Sequence, residues 1–224
     1  MQTVKHLPTA LYALGLSLLP GLAPAAPAGD ATRGAEAAAV CVSCHQADGS
    51  GMNMEQGESW PRLAGLNADY LAKQLRDFQS GERVNPTMKT FANMLTEQQI
   101  VDVAQFYSEM TPTQGRGGED ADKAVLQRGQ TLATAGHWSE YIVSCESCHG
   151  PDNQGAGSVF PGIAGQHAGY IMAQLKAWQE GTRTNDPQDL MGTIARRMSS
   201  EDIHAVAAWL ATQPSGDSQE GATP

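Results

Sequence analysis

The sequence is short of basic residues. Its 224 residues include 14 Lys and Arg against 24 Asp and Glu, which gives a formal net charge of -10. A chain of this charge repels nucleic acid, so the balance argues against a nucleic-acid-binding protein. It favours protein partners that present basic or dipolar surfaces.

Large apolar side chains are also scarce, because aromatic residues make up only 6% of the chain. The length allows two domains of ordinary size. Small domains with so few large side chains bury a thin core for their length. An apolar cofactor held inside each domain would supply the missing core, so the composition favours a cofactor-binding protein.

Only the N-terminus carries a long apolar run. Lys5 and His6 precede the apolar segment 7–22, which contains two prolines and is followed by small residues up to Ala28. This pattern is typical of a secretory signal, and we expect residues 1–28 to be removed by cleavage. A retained membrane anchor is the alternative, although the run is short for a bilayer span. The expected compartment is the bacterial periplasm, with peripheral membrane association at most.

The chain has no cysteine outside two short, similar motifs. The four cysteines fall in two copies of one pattern, Cys41-Val-Ser-Cys44-His45 and Cys145-Glu-Ser-Cys148-His149. Cys-x-x-Cys-His is the attachment pattern for c-type haem, in which each thiol forms a thioether and the adjacent imidazole lies under the iron. We predict two covalently bound haem c groups, each held by one cysteine pair and ligated by the histidine that follows it.

Paired cysteines have other uses. An exported chain can form disulfides, but two loops that both end in His favour haem. Four cysteines and a histidine can also bind one zinc ion, which self-similar halves would then have to share. A thioredoxin-like site is excluded because the surrounding sequence has no strand pattern.

The chain is an internal repeat. Residues 60–65 match residues 160–165, residues 70–75 match 170–175, and after a short slip Thr96 aligns with Ser199. A polar, Gly- and Pro-rich segment separates the halves, and the second half has an insertion at 134–144 before its haem motif. We predict domains at 29–111 and 121–213, a linker at 112–120 and a disordered tail at 214–224.

Each half predicts three main helices and no strand, so the fold class is all-α. The first helices are expected at about 30–41 and 121–135. The second begin after Asn67 and at 168, and stop at Gly81 and Gly181. The third begin at Thr96, where Gln99 completes a capping box, and at Ser199.

A His-ligated iron that transfers electrons needs a sixth ligand, and Met is a common partner. Met88 and Met191 are a matched pair, since each lies eight residues before the capping residue of its terminal helix. Met94 and Met198 are rivals, but their positions do not match each other. We favour Met88 and Met191.

Other residues recur beside these candidates. Pro61 and Pro161 lie in loops expected either to reach the axial histidines or to form simple turns. A tyrosine and an arginine recur in each half, and both side chains suit a haem propionate, although a solvated or capping role is the alternative. The recurring residues are Tyr70, Tyr170, Arg83 and Arg183. His167 lacks a histidine counterpart, and we expect it to cap the helix that follows.

Together these motifs resemble cytochrome c4, a di-haem protein built from two class I cytochrome c domains. The resemblance runs from about Gly29 to Gln213. It implies that His45 and His149 are proximal ligands and that Met88 and Met191 are distal ligands.

The implied function is that of a non-enzymatic periplasmic electron carrier, which takes electrons from a quinol-oxidising complex and delivers them to a terminal oxidase or reductase. The alternative is a redox enzyme or enzyme subunit with one open haem site, such as a di-haem peroxidase or a sulfur-compound dehydrogenase. The matched methionines speak against that alternative.

Overall fold

The computed structural model describes residues 28–216. The predicted signal peptide, apart from Ala28, and residues 217–224 of the predicted tail lie outside this range. Within it, no helix is long and apolar enough to cross a membrane. The first half contains α1 (Ala31–Ala37), α2 (Val42–His45), α3 (Ala68–Ser80), α4 (Pro86–Ala92) and α5 (Glu97–Ser108). The second half contains α6 (Lys123–Thr134), α7 (Glu146–His149), α8 (Ala168–Gln179), α9 (Leu190–Ala195) and α10 (Ser200–Thr212).

The all-α prediction is confirmed, since residues 28–216 contain only isolated β-bridges outside the helices. The three predicted helices of each half are present. The Asn67 side chain accepts a hydrogen bond from the Tyr70 N–H, and Gly81 ends α3 with a left-handed φ of 88°. Thr96 and Gln99 form the predicted capping box of α5. Local side-chain chemistry therefore sets these helix ends.

In each half the first helix crosses the last at a glycine. Gly34 of α1 lies against the backbone of Asp102 and the side chain of Phe106 in α5. Gly129 of α6 lies in the same way against Ala205 and Trp209 of α10. Each crossing admits no side chain at the glycine, so the two helices pack backbone to backbone.

Two separate apolar cores follow from this arrangement. One includes Leu71, Ile100 and Tyr107 of the first half, and the other includes Ile171 and Ile203 of the second. The half-buried cysteines Cys41 and Cys145 each pack against their own core. Each half therefore has its own hydrophobic core beside its own motif.

The insertion of the second half lies between α6 and α7. It contains a 3-10 turn at Trp138–Glu140, and a backbone bridge joins His137 to Ile142. Trp138 and Tyr141 are 66% and 74% exposed, so this segment carries two of the large apolar side chains that the surface displays.

Candidate functional site

The two Cys-x-x-Cys-His motifs form equivalent one-turn helices, α2 and α7. All four cysteines are free thiols, and His45 and His149 are buried. Burial raises the pKa of Cys41 above its ordinary value and raises the pKa of Cys145 to about 12. The Cys41 and Cys145 thiols are thus protonated at neutral pH, and the two cysteines of each motif are separated by about one helical turn.

The orientation of both histidines is fixed by a carbonyl group. His45 Nδ1 lies 3.0 Å from the Pro61 carbonyl oxygen, and His149 Nδ1 lies 2.7 Å from that of Pro161. A carbonyl only accepts, so Nδ1 carries the proton and Nε2 keeps its lone pair. Burial also lowers the pKa of both rings, which favours the neutral form. Each imidazole is therefore prepared to bind a metal through Nε2, and the prolines do reach the histidines.

The favoured methionines occupy equivalent short helices. Met88 lies in α4 and Met191 in α9, each half-buried, and each backbone N–H is bound by an upstream side chain, Asn85 or Asp186. These helices pack on α3 and α8. The rival pair differs in environment, because Met94 is 62% exposed whereas Met198 is 6% exposed in the second core.

The recurring arginines and tyrosines meet where the two halves touch. Arg83 and Arg183 form a backbone bridge with each other, and each is 7% exposed. The Arg83 guanidinium donates to Tyr170 Oη at 2.7 Å and to Gln174 Oε1 at 2.8 Å. Arg183 donates to Gln174 at 2.7 Å and to Gln74 at 3.2 Å. Two buried cations therefore share neutral acceptors across the boundary between the halves.

Neither guanidinium forms an ion pair among the described residues, although the buried Asp77 carboxylate lies near enough to raise the pKa of Arg83. Burial by itself would raise the pKa of Tyr170, but the charges of Arg83 and Arg183 outweigh it and lower that pKa. A buried charge without a partner is unfavourable unless an anion compensates it. One nearby carboxylate and two guanidinium groups leave an excess of positive charge, which a carboxylate such as a haem propionate would offset.

The residues fit a covalently attached haem in each half. The two cysteines of each motif stand at the attachment spacing, and both imidazoles keep Nε2 free of a proton. The hydroxyl of Tyr107, 1% exposed, faces the Cys41 thiol and has no other hydrogen-bond partner within the described residues. In the first half it therefore lies beside the attachment position and could still donate to a bound group.

The sequence-based role of His167 is wrong. Its side chain does not cap α8. Instead, Nδ1 accepts from the Arg116 N–H at 3.1 Å and Nε2 donates to the Ser50 carbonyl at 2.8 Å. The ring is 3% exposed and joins the linker to the first half. Asn67 caps at the equivalent position, but a larger ring placed at the boundary reaches across it instead.

Sequence reasoning also missed Arg62 and Gln166. Arg62 is 3% exposed, and its guanidinium donates to the carbonyl groups of Ala64, Ala164 and Gly165. Gln166 is 4% exposed and bonds to the Arg62 backbone. Both residues differ from their counterparts in the repeat: Arg62 corresponds to Gly162, and Gln166 corresponds to Leu66. These differences between otherwise similar halves were the sequence signal that could have identified the two residues.

Comparison with known proteins identifies the family to which both halves are similar. The cytochrome c family model matches residues 31–111 and 126–214. The "Thiosulfate dehydrogenase electron acceptor" of Thiomonas intermedia is 43% identical over 201 residues, 90% of each chain. Reduced cytochrome c4 from Pseudomonas stutzeri superposes with a TM-score of 0.75 at 32% identity, over 84% of this chain and 100% of that one. Thiosulfate dehydrogenase (TsdBA) from Marichromatium purpuratum gives a TM-score of 0.73 at 39% identity, over 82% of this chain and 40% of that one.

Proposed function

Because the chain belongs to the cytochrome c family, and to its di-haem cytochrome c4 members, we propose that it accepts electrons from a thiosulfate-oxidising dehydrogenase in the periplasm. It binds two haem c groups covalently and acts as an electron-transfer protein, not as an enzyme. The observation that carries the donor is the similarity to a protein named as a thiosulfate dehydrogenase electron acceptor, over 90% of both chains.

We assign the attachment and the ligands by position. Cys41 and Cys44 hold the first haem and Cys145 and Cys148 the second. His45 and His149 would bind the irons through Nε2, and Met88 and Met191 would supply the second protein ligand in each half. Bound haem supplies a one-electron Fe(III)/Fe(II) couple. The protein excludes water from the site and fixes the axial groups.

The Arg83 and Arg183 guanidinium groups would neutralise propionates at the boundary between the halves. Their hydrogen bonds to Gln74, Gln174 and Tyr170 already fix their orientation before any anion binds. A planar guanidinium matches a carboxylate in charge and shape. The boundary between the halves therefore suits the polar edge of each cofactor.

The donor is tested with purified components. Oxidised protein is mixed with a thiosulfate dehydrogenase and thiosulfate, and haem reduction is followed by stopped-flow absorbance. We expect rapid reduction of both halves that depends on thiosulfate and on the dehydrogenase. A chain that stays oxidised under these conditions but is reduced by a quinol-oxidising complex would refute this donor and support the quinol donor expected from the resemblance. Re-oxidation by a terminal oxidase or reductase tests the onward step.

The distal ligands are tested by substitution. Met88→Ala and Met191→Ala should each open one iron, so that the reduced protein binds carbon monoxide at half the sites and the oxidised protein loses half of the near-infrared Met-to-iron band. Met94→Ala and Met198→Leu are the matched controls and should do neither. If a control opens a site and its partner in the favoured pair does not, the assignment for that half is wrong.

A further inference from the structure

The second half hydrogen-bonds to the peptide group that holds His45 of the first half. The Pro61 carbonyl accepts from His45 Nδ1–H at 3.0 Å. The N–H of the same peptide group, on Arg62, donates to Gln166 Oε1 at 2.8 Å. Gln166 Nε2 in turn donates to the Arg62 carbonyl at 2.9 Å. One buried glutamine therefore pairs with both polar groups of Arg62, from across the boundary between the halves.

The first half makes no equivalent contact with the second half. The residue equivalent to Gln166 is Leu66, which is 5% exposed in the first core and has no hydrogen-bonding side chain. The residue equivalent to Arg62 is Gly162, where an added Cβ would lie 2.6 Å from the Gln154 carbonyl oxygen. The first half therefore cannot act on the Pro161 peptide group as the second half acts on that of Pro61.

We propose that Gln166 is a positioning residue that strengthens the His45 hydrogen bond and thereby lowers the reduction potential of the first haem. This inference rests on the proposal that His45 ligates that haem. An acceptor on the N–H of an amide polarises the group and makes its carbonyl a better acceptor. A stronger bond at Nδ1–H makes the imidazole a more basic ligand. A more basic ligand stabilises Fe(III) relative to Fe(II).

Arg62 acts differently from Gln166. Its buried guanidinium binds carbonyl groups of both halves, Ala64 in the first and Ala164 and Gly165 in the second. Within the described residues it has no carboxylate partner, and burial lowers its pKa only to about 10, so it stays charged. A cation in this place favours Fe(II) in both halves, whereas Gln166 acts on one. The test must leave Arg62 unchanged.

The test substitutes Gln166 by the residue that the first half uses. In Gln166→Leu we expect the first haem to be reduced more easily, by up to about 1.7-fold in the ratio of reduced to oxidised protein at a fixed ambient potential, because polarisation changes a net hydrogen bond of about 1 kcal/mol by roughly 10–30%. The second haem should not shift. The His45 Nδ1–H proton resonance of the reduced protein should move upfield. Redox titration followed by NMR of each half's haem methyl signals measures both effects.

Two further variants separate this role from simple support of the boundary. Asn53→Ala removes another bond between the halves, in which Asn53 Oδ1 accepts from the Gly169 N–H at 2.9 Å, and it should leave the first potential unchanged. Gln166→Glu keeps an acceptor for the Arg62 N–H and makes it stronger, so the first potential should fall by more than the second, which the added negative charge also lowers.

Shifts of the same sign in Gln166→Leu and Gln166→Glu, equal shifts of both haems, or an equal shift in Asn53→Ala would overturn the proposal. So would no shift in Gln166→Leu. All of these measurements use purified holo-protein without a partner, so failure of the proposed thiosulfate donor does not affect them. Loss of the low-spin spectrum in the His45→Ala protein tests the ligand separately.

Discussion

The helix crossing at Gly129 offers a quantitative test of how the second half is built. A Cβ added at this position would lie 2.6 Å from Trp209 Cβ and 2.7 Å from the Ala205 carbonyl carbon. Ordinary carbon contacts are about 3.5–4.0 Å. The substitution Gly129→Ala must therefore push α6 and α10 apart by about 1 Å, and neither neighbour is the end of a flexible side chain that could move away.

The expected change in the free energy of unfolding is the balance of two opposing effects. Overpacking of a core typically destabilises by about 1–3 kcal/mol, and contacts with backbone atoms place this site at the upper end. Alanine in place of glycine within a helix gains about 1 kcal/mol in propensity. The free energy of unfolding of the second half should fall by about 2 kcal/mol. For a half of this size that corresponds to roughly 8–16 °C in melting temperature.

The assay is thermal unfolding of the holo-protein, followed by haem absorbance and by circular dichroism. Gln130→Ala is the matched control, because this neighbouring residue of α6 is exposed, and it should melt like the wild type. Gly34→Ala should produce a similar loss in the first half, where the added Cβ meets Asp102 and Phe106. A Gly129→Ala protein as stable as the control would refute the backbone-to-backbone crossing.

Two predictions concern pH. Burial lowers the pKa of His167 below its ordinary 6.5, so stability should fall as pH drops below about 6.5, and His167→Asn should flatten this slope between pH 7 and 5 in denaturation curves. Hydrogen bonds from Arg33 hold the pKa of Asp102 at about 2 although burial opposes them. The stability that this carboxylate contributes should be complete above pH 3.8 and should be lost as pH falls through about 2. The variant Asp102→Asn should remove this loss at acid pH. An unchanged dependence of stability on acid pH in the variant would contradict the pairing with Arg33.

Local chemistry accounts for what the sequence could predict. A cap such as Thr96 with Gln99 works within one helical turn, so its pattern is visible in the residues themselves. The short helices α4 and α9 were not predicted, because each has only seven or six residues and little apolar periodicity. His167 was misassigned for a related reason, since its partners Ser50 and Arg116 lie far away in the chain.

The partners of Arg83 and Arg183 also could not be predicted from the sequence, for a different reason. Their recurrence in both halves marked them as polar residues of interest, but a repeat does not state how its copies face each other. In the structure they form a backbone bridge, so each equivalent position lies close to its own copy, as in an isologous dimer. Polar residues that recur in tandem domains with few charges nearby are therefore candidates for the boundary between those domains.

The breaks in the repeat carry the properties that a single half cannot have. Two identical halves in identical surroundings would give both haems the same potential, and electrons would have no preferred direction between them. Residues shared by the halves, such as His45 and His149, supply what each half does alone. Gln166 and Arg62 differ from their counterparts and act across the boundary, on the peptide group beside one proximal histidine. At this contact the two halves are thus unequal, although their proposed ligands match.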